Sequence, residues 1–396
     1  MSAGQIDLDR IRRDVATLAS MTRESARDGE LEAARWVADQ LADAGLQPVV
    51  QVHRYQHSYA LVHGVHEMVA LAGVARGGLR GALLTAAAGV SLDAECSGRS
   101  QWLRGLLPDD VGAGVLVRIP AADDGADHRG TVVFAAHVDA ANTGWVWHPR
   151  LAALGADRAH RERTMAPAMA PVTAALAAGV LGSALPRRAR VARALRAGAA
   201  AVLAGAVAGV TSVGRSLTVP GASDNATGVA VLLELARRLA VAAPSGTDVV
   251  LLFPGSEEAG MGGMRAALDH PMLVESLARG PVTVVGVDTL GSGTPIVART
   301  EGTMRDHHFD RAAIELVQRG AVEAGVEAPQ PWRIGGWTDP ILAQLRGIPS
   351  TCLLSVGHGG YTNYHLPTDT ADRVDHDSVE RCARIVDGVV RVAGRA

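Results

Sequence analysis

The sequence predicts an α/β fold: a mostly parallel central sheet flanked by helices, carrying an inserted helical subdomain. Three observations predict it. Short β-branched apolar runs at 131–139 (TVVFAAHVD), 247–253 (TDVVLLF) and 282–287 lead into polar residues. That is the pattern of strands buried on both faces whose ends leave the sheet. From Val219 onward such runs alternate with segments of helical period, which argues for parallel strands joined by helical crossovers. Two apolar, small-residue pieces, 57–108 and 150–216, break that alternation.

The totals set the bounds. At 396 residues the chain is long for one domain and short for three. An apolar content of 48% supports a large core, and with 3% aromatics that core must pack through small residues. All 38 basic residues are arginine, and a net charge of -3 gives no electrostatic footprint for nucleic acid. Cys96, Cys352 and Cys382 are too sparse for a zinc knuckle or a disulfide framework, which suits a reducing compartment. The N-terminus, MSAGQIDLDRIRRDV, is charged from the start and lacks an apolar signal core. A cytoplasmic location is expected, with membrane association left open.

Taken in order, residues 6–46 read as helix, with Leu8, Ile11, Val15 and Leu18, then Leu31, Ala34, Val37 and Leu41, at helical spacing. Gly45 supplies the stop. Residues 47–53 and 112–119 read as strands, and DDGADHRG as the turn into the 131–139 run. VPGASDNATG is a loop, 229–242 a helix, and 247–253 a strand ending in PGSEEAG. Residues 264–277 read as helix with a break at Pro271. A strand at 282–287 ends at Asp288. A helix at 308–324, a strand at 351–356, the loop GHGGYTNYHLPTDT and a closing helix at 378–392 complete the chain.

The two interrupting pieces differ in kind. In 57–108 the apolar runs 68–75 and 81–92, parted by Arg76 and Arg80, are too short to span a bilayer and suit packed helices. In 150–216, no charge falls between residues 164 and 186 or between 197 and 214. Between those stretches sit Arg187, Arg188, Arg190, Arg193 and Arg196. A helical hairpin is expected. Length alone suggests membrane, but the runs are mostly Ala and Gly, and Pro167 and Pro171 interrupt the first. The positive-inside rule would also put the rest of the chain outside the cell. Lid, dimer surface and membrane-associated segment stay open as roles, the last as a transmembrane hairpin or as an interfacial or re-entrant one with its arginines on anionic lipid.

Polar residues collect in the loops that follow strands: His137 and Asp139, Asp224, Glu257 and Glu258, Asp288, His365. Each has a plainer reading alone. An isolated HxD is usually structural, an EE pair a solvated charge run, and Asp224 an N-cap. Asp288 could be a solvated strand end and His365 a turn residue. Recurrence at successive sheet-loop positions points instead to a shared centre. Carboxylates and imidazoles without thiolates suit Zn2+, or Mn2+ or Co2+. Three ligands per metal with one shared carboxylate needs five residues, and His137, Asp224, Glu258, Asp288 and His365 supply them. Two metals about 3.5–4 Å apart can clamp a hydrolytic transition state. Glu257 and Glu258 point apart in an extended loop, so one can ligate while the other serves as general base. Asp139 would orient the His137 ring.

The order AHVD, GASDN, SEEAG, GVD and NYHLPTDT resembles metallopeptidase family 28, which holds bacterial leucyl aminopeptidases, aminopeptidase Y, glutamate carboxypeptidase II and glutaminyl cyclase. The resemblance covers residues 1–56, 112–145 and 217–396. It implies the zinc-exopeptidase, phosphorylase/hydrolase-like fold and two Zn2+ per chain. It implies that His137 and Asp288 hold one metal, Glu258 and His365 the other, and that Asp224 bridges both. Glu257 would be the catalytic base, Asp139 the orienting partner of His137, and a cis peptide would follow Asp224. The sequence departs from the family in its two insertions. The zinc-exopeptidase domain is therefore set at 1–56, 109–149 and 217–396, with 57–108 and 150–216 as inserted apolar helical segments. If the first three strands form a meander, both inserts leave the sheet at the active-site end.

Other residues near the motifs carry weaker signals. Trp145, Trp147 and His148 follow the HxD strand and either line a pocket or pack a loop. Trp337, Thr338 and Asp339 sit where the family places a pocket or structural aspartate, and the structural role is favoured for Asp339. Tyr361 or Tyr364 could donate to an oxyanion. His358-Gly359-Gly360 mimics a lipase oxyanion motif, but without G-x-S-x-G it is set aside, and GMGGM at 260–264 is not a nucleotide loop. The expected activity is removal of N-terminal residues from peptide substrates by a di-zinc aminopeptidase. The rivals are single-zinc glutaminyl cyclase chemistry on the same fold and a non-catalytic membrane-associated scaffold. A homo-oligomer is left open.

Overall fold

The computed structural model describes residues 6–122, 128–358 and 360–395, with nothing stated for the Ala152 side chain. Residues 1–5 of the N-terminal reading, the 123–127 part of the turn before the HxD strand, and Gly359 lie outside the described residues.

The chain opens with α1 (Leu8–Ala19) and α2 (Asp28–Asp43), then β1 (Val49–Tyr55), α3 (Ala60–Arg76), α4 (Gly78–Cys96), β2 (Asp110–Ile119) and β3 (Thr131–Ala135). Two short helices, α5 (Pro149–Ala152) and α6 (Ala156–Glu162), lead to α7 (Ala170–Ala184) and α8 (Arg190–Val213). After these come α9 (Thr227–Val241), β4 (Asp248–Phe253), α10 (Gly262–Ala267), α11 (Pro271–Arg279), β5 (Val282–Val287), β6 (Thr294–Glu301) and β7 (His307–His308). The end of the chain holds α12 (Arg311–Glu323), β8 (Gln330–Ile334), α13 (Pro340–Leu345), β9 (Ser350–Val356) and α14 (His376–Ala393).

Among the described residues the strands form one sheet of order β1-β2-β4-β3-β5-β9-β6-β7, with β8 also on β6. The central strands β4, β3, β5 and β9 are parallel. β2 is antiparallel to β4, β1 to β2, and β6 to β9. Alternate residues of each central strand feed opposite cores, as strand geometry requires. Phe134, Leu251 and Val285 pack under α1, α2, α9, α12 and α14, while Val133, Val250 and Val284 pack under α10, α11 and α13. Helix starts follow their chemistry: Asp7, Asp310 and Asp375 cap α1, α12 and α14 through side-chain oxygens, and Pro271 and Pro340 open α11 and α13.

The expected α/β architecture holds, with corrections in detail. The single helix expected over 6–46 is two, because the chain between them folds under the sheet edge around the buried Arg23. The apolar run expected as a strand to Asp139 pairs only to Ala135, and Ala140 then bridges to Glu24. The break expected at Pro271 is present: α10 ends at Ala267 and α11 begins at Pro271. The first three strands are not a meander: β4 lies between β2 and β3. β3, apolar at nearly every position, takes a parallel neighbour on each side at the sheet centre. Nevertheless β1 and β3 run in the same direction, so both inserts leave at the edge where the parallel strands end. There α3, α4, α7 and α8 pack on one another around a core of their own that includes Ala70, Ala88, Leu176 and Leu203.

Candidate metal centre

Four parallel strands end at one edge of the sheet, and the loop beyond each delivers polar side chains to one place. β3 leads to His137 and Asp139, β4 to Glu257 and Glu258, β5 to Asp288, and the loop after β9 to His365. Asp224 arrives from the loop before α9, where the Asp224–Asn225 peptide is cis. All seven sequence-predicted residues meet here. Asp224 sits between the two histidines. Its Oδ1 is 3.3 Å from His137 Nε2 and its Oδ2 is 3.3 Å from His365 Nε2. His137 Nε2 is also 3.6 Å from Asp288 Oδ1, and His365 Nε2 is 3.2 Å from Glu258 Oε2. The residues form two triads that share Asp224, His137–Asp224–Asp288 and Asp224–Glu258–His365, and a third group, His137–Glu257–Glu258, each with its ligand atoms within 4.8 Å of one another.

The donor set fits a metal. Three carboxylates and two imidazoles are gathered out of water, a charge excess that needs compensation. Glu258 Oε1 and both ring nitrogens of His365 are buried without a hydrogen-bond partner, as unfilled ligand positions would be. Burial opposes a charge on His137, but Asp139, Asp224 and Asp288 outweigh it and lift its pKa well above the usual range. Burial likewise opposes a charge on His365, yet Glu258 and Asp224 raise its pKa to about 10. Burial would raise the Asp224 carboxyl, but His137 and His365 beside it hold it below the ordinary range. A cluster that retains protons this strongly offers the same field to a cation. Glu257 differs: burial, reinforced by Glu258, Asp339 and Asp288, drives its carboxyl well above the usual range. A buried carboxyl that holds its proton more tightly than usual, beside the candidate ligands, suits a proton-transfer role.

The model of peptidase family M28 matches residues 207–390. Over that span the chain is similar to peptidase family M28. A comparison with curated protein sequences gave no match. Solved structures share its fold at low identity. An aminopeptidase from Aneurinibacillus sp. strain AM-1 superposes with a TM-score of 0.57 at 15% identity, covering 99% of this chain and 95% of its own. A glutaminyl cyclase from Bacteroides thetaiotaomicron, bound to N-acetylhistamine, gives 0.56 at 12% identity and 98% coverage of both chains. A Zn-dependent exopeptidase from Parabacteroides distasonis gives 0.54 at 12% identity and 100% coverage of both.

Further contacts support this centre: Asp139 was expected beside His137, whereas the roles of Ser25, Glu30, Asn225 and Asp369 went unread in the sequence. Asp139 Oδ1 lies 3.5 Å from His137 Nδ1 and accepts the Glu257 N–H, while Oδ2 accepts the Glu258 N–H and the Ser25 hydroxyl. Asp369 accepts the N–H groups of Ser223 and Asp224, and Asn225 ties its loop to Val287 and Thr289. Glu30, fully buried, accepts from the backbone N–H groups of Ala26, Ala113 and Ser256. Ser25 and Glu30 sit in stretches whose local pattern is ordinary, so only the three-dimensional contacts find them.

The weaker signals divide. Tyr364 stacks on His365 with ring centroids 3.9 Å apart, and Trp147 meets the same ring edge-on at 4.3 Å. Tyr361 packs on Tyr364 at 4.9 Å. Trp145 is exposed and lies against Gly209 of α8, and His148 caps α5. Thr338 donates to Glu301, Trp337 to Thr303, while Asp339 is buried with Oδ1 unpartnered. His358 faces Asp157 on the surface, and 260–264 forms the turn that begins α10. A small cavity beside His365 and Glu258 is closed by Ser58 and Tyr59 from the first insert and Val213 from the second.

Proposed function

We propose that the chain is a two-zinc aminopeptidase that removes N-terminal residues from peptides. The observation that carries this reading is Asp224, with one carboxylate oxygen turned to each of two histidines 3.3 Å away. That symmetry favours two metals over one. His137, Asp224 and Asp288 would hold one zinc, and Asp224, Glu258 and His365 the other. Bound zinc supplies Lewis acidity for the scissile carbonyl, a lowered pKa for the attacking water, and an anchor for the free amine. The chain's own residues do the rest. Glu257, its backbone fixed by Asp139, takes the proton from the attacking water and delivers it to the leaving amine. Asp139 holds the His137 ring. Tyr364 and Trp147 wall the His365 side and keep water out.

The test is metal content per chain together with hydrolysis of a panel of aminoacyl-anilides. Two metals and anilide cleavage are expected. Glu257→Gln should lose roughly 10²–10⁴-fold in turnover while binding the same metal complement. Loss of metal on that substitution would contradict the base role. The same fold also carries glutaminyl cyclases. One metal per chain, no cleavage and cyclisation of N-terminal glutamine would replace the aminopeptidase reading with that chemistry.

A further inference from the structure

We propose that α3, α4, α7 and α8 form a membrane-spanning foot, with the turns of both helical hairpins on the opposite side of the bilayer from the catalytic sheet. The inference stands on the inserts and does not depend on the peptidase chemistry.

The bundle departs from the pattern of a soluble one. Around a core that includes Leu92, Leu176 and Leu203, its helices also meet closely through small residues. A Cβ on Gly73 would lie 2.5 Å from Thr85 Oγ1 and 2.9 Å from Gly81 O, and one on Gly179 would lie 2.6 Å from Val74. Close approach through small residues is how helices associate in lipid, where apolar side chains gain nothing by hiding from one another. The polar residues point inward: His66, Glu67, Thr85 and Ser183 are all buried. Large apolar residues also point outward: Leu61, Met68, Leu83, Val90, Leu181 and Val202 are exposed, with at least one on each of the four helices. A soluble helix carries charge on its outer face, and one apolar all round belongs in a core or a membrane. Yet α8 is not in a core: only 17% of its most apolar 18-residue stretch is buried.

The two ends of the bundle identify the solvent between them. Arg187 donates to Arg76 O, and Arg196 donates to Val74 O and Ala75 O, so the two hairpin turns lie together at the end far from the sheet. That end carries Arg76 and Arg80 on one hairpin and Arg187, Arg188, Arg190 and Arg193 on the other. No acidic residue occurs in 68–92 or 163–223. Such a cluster complements anionic headgroups, and neither stretch holds a carboxylate to neutralise it. At the sheet end, Trp102 and Trp145 are both half exposed, 53% and 52%, as in an interfacial aromatic belt. Between the arginines and this belt, the charge-free residues 197–214 of α8 and its cap extend about 27 Å at ~1.5 Å per residue, close to the ~30 Å of hydrocarbon in a bilayer. A bundle embedded by its sides must put its arginine tip through to the far headgroups. The positive-inside rule makes that side the cytoplasm.

The test expresses the full chain in bacteria and follows it through fractionation and labelling. It should remain with membranes through high salt and alkaline carbonate and be released by detergent. Arg188→Cys at the tip and Arg319→Cys on α12 are both exposed surface positions, compared with the parent chain as the labelling blank. In intact spheroplasts a membrane-impermeant maleimide should label position 319 at least tenfold more than 188, and lysis should equalise them. Equal labelling before lysis overturns the proposal, as does release by salt or carbonate, which would mean peripheral attachment. A soluble chain of twice the monomer mass would assign the apolar sides to a second copy, and would also overturn it.

Discussion

The Asp139 carboxylate accepts the backbone N–H of Glu257 at 3.1 Å. Its other oxygen accepts the N–H of Glu258 at 3.1 Å and the Ser25 hydroxyl at 2.6 Å. One side chain beyond β3 therefore sets the position of two side chains beyond β4, and it also lies beside the His137 ring. Asp139 is the joint between the candidate base and the candidate ligands.

Asp139→Asn tests that joint. The amide keeps one acceptor oxygen but turns an N–H toward either a backbone N–H or the Ser25 hydroxyl. The variant should fold, lose roughly 10- to 100-fold in metal affinity, and lose kcat more than KM because Glu257 is misplaced. Zinc titration and steady-state kinetics on the same preparation check it. Unchanged kcat with full metal would remove Asp139 from the machinery.

Arg23 is completely buried and its guanidinium serves five backbone carbonyls: Leu18, Val138, Asp139, Pro220 and Gly221. It ties the end of α1 to the His137 loop and the Asp224 loop. A lysine cannot reproduce that planar fork. Arg23→Lys should therefore destabilise the chain by about 3 kcal/mol, the cost of a buried carbonyl set losing a charged donor, and urea unfolding measures it. A midpoint equal to the parent's would mean that the clamp is dispensable.

Asp139 was legible in the sequence because it follows His137 by two residues at the end of an apolar run. Arg23 was not, because it sits among ordinary polar residues in a break between helices that helical periodicity had bridged. The same contrast explains the sheet. β3, β4 and β5 are continuous apolar runs and announce themselves, whereas β6 contains Pro295, Arg299 and Thr300, and β8 contains Pro331 and Arg333. Strand order was illegible too, since β4 enters between β2 and β3 through contacts more than a hundred residues apart in sequence. The candidate centre was easier to find than the fold that holds it. All of its residues but Asp224, which precedes α9, lie in loops beyond strands, in a fixed order, and chemistry limits which residue types can stand there.

Glu301 provides a pH test outside the centre. It is fully buried, accepts from the Thr338 N–H and hydroxyl, and burial raises its carboxyl to about 8 from an ordinary 4.5. The folded chain therefore holds a proton that the unfolded chain releases. This contribution to stability is full below about pH 4.5 and is lost as pH rises toward about 8. Glu301→Gln, always neutral, should flatten that decline. The difference in Tm between variant and parent should grow in the variant's favour from pH 5 to pH 8. A constant difference across that range would mean that Glu301 is ionised in the fold.

Removing metal should separate the ligands from the base. Without a cation the gathered carboxylates repel one another, so chelation should lower Tm and zinc should restore it. Zinc at about 100 times its Kd adds roughly 2.7 kcal/mol. Glu257→Gln should keep the whole zinc-dependent shift, since Glu257 is assigned to the proton and not to the metal. His365→Ala and Glu258→Gln remove ligands of one triad and should each keep a part. Asp224→Asn should keep least, because both triads share its carboxylate. Differential scanning fluorimetry with zinc and with chelator ranks the four variants. If Asp224→Asn retained as much shift as His365→Ala, the two triads would be independent sites and the bridge between them would not exist.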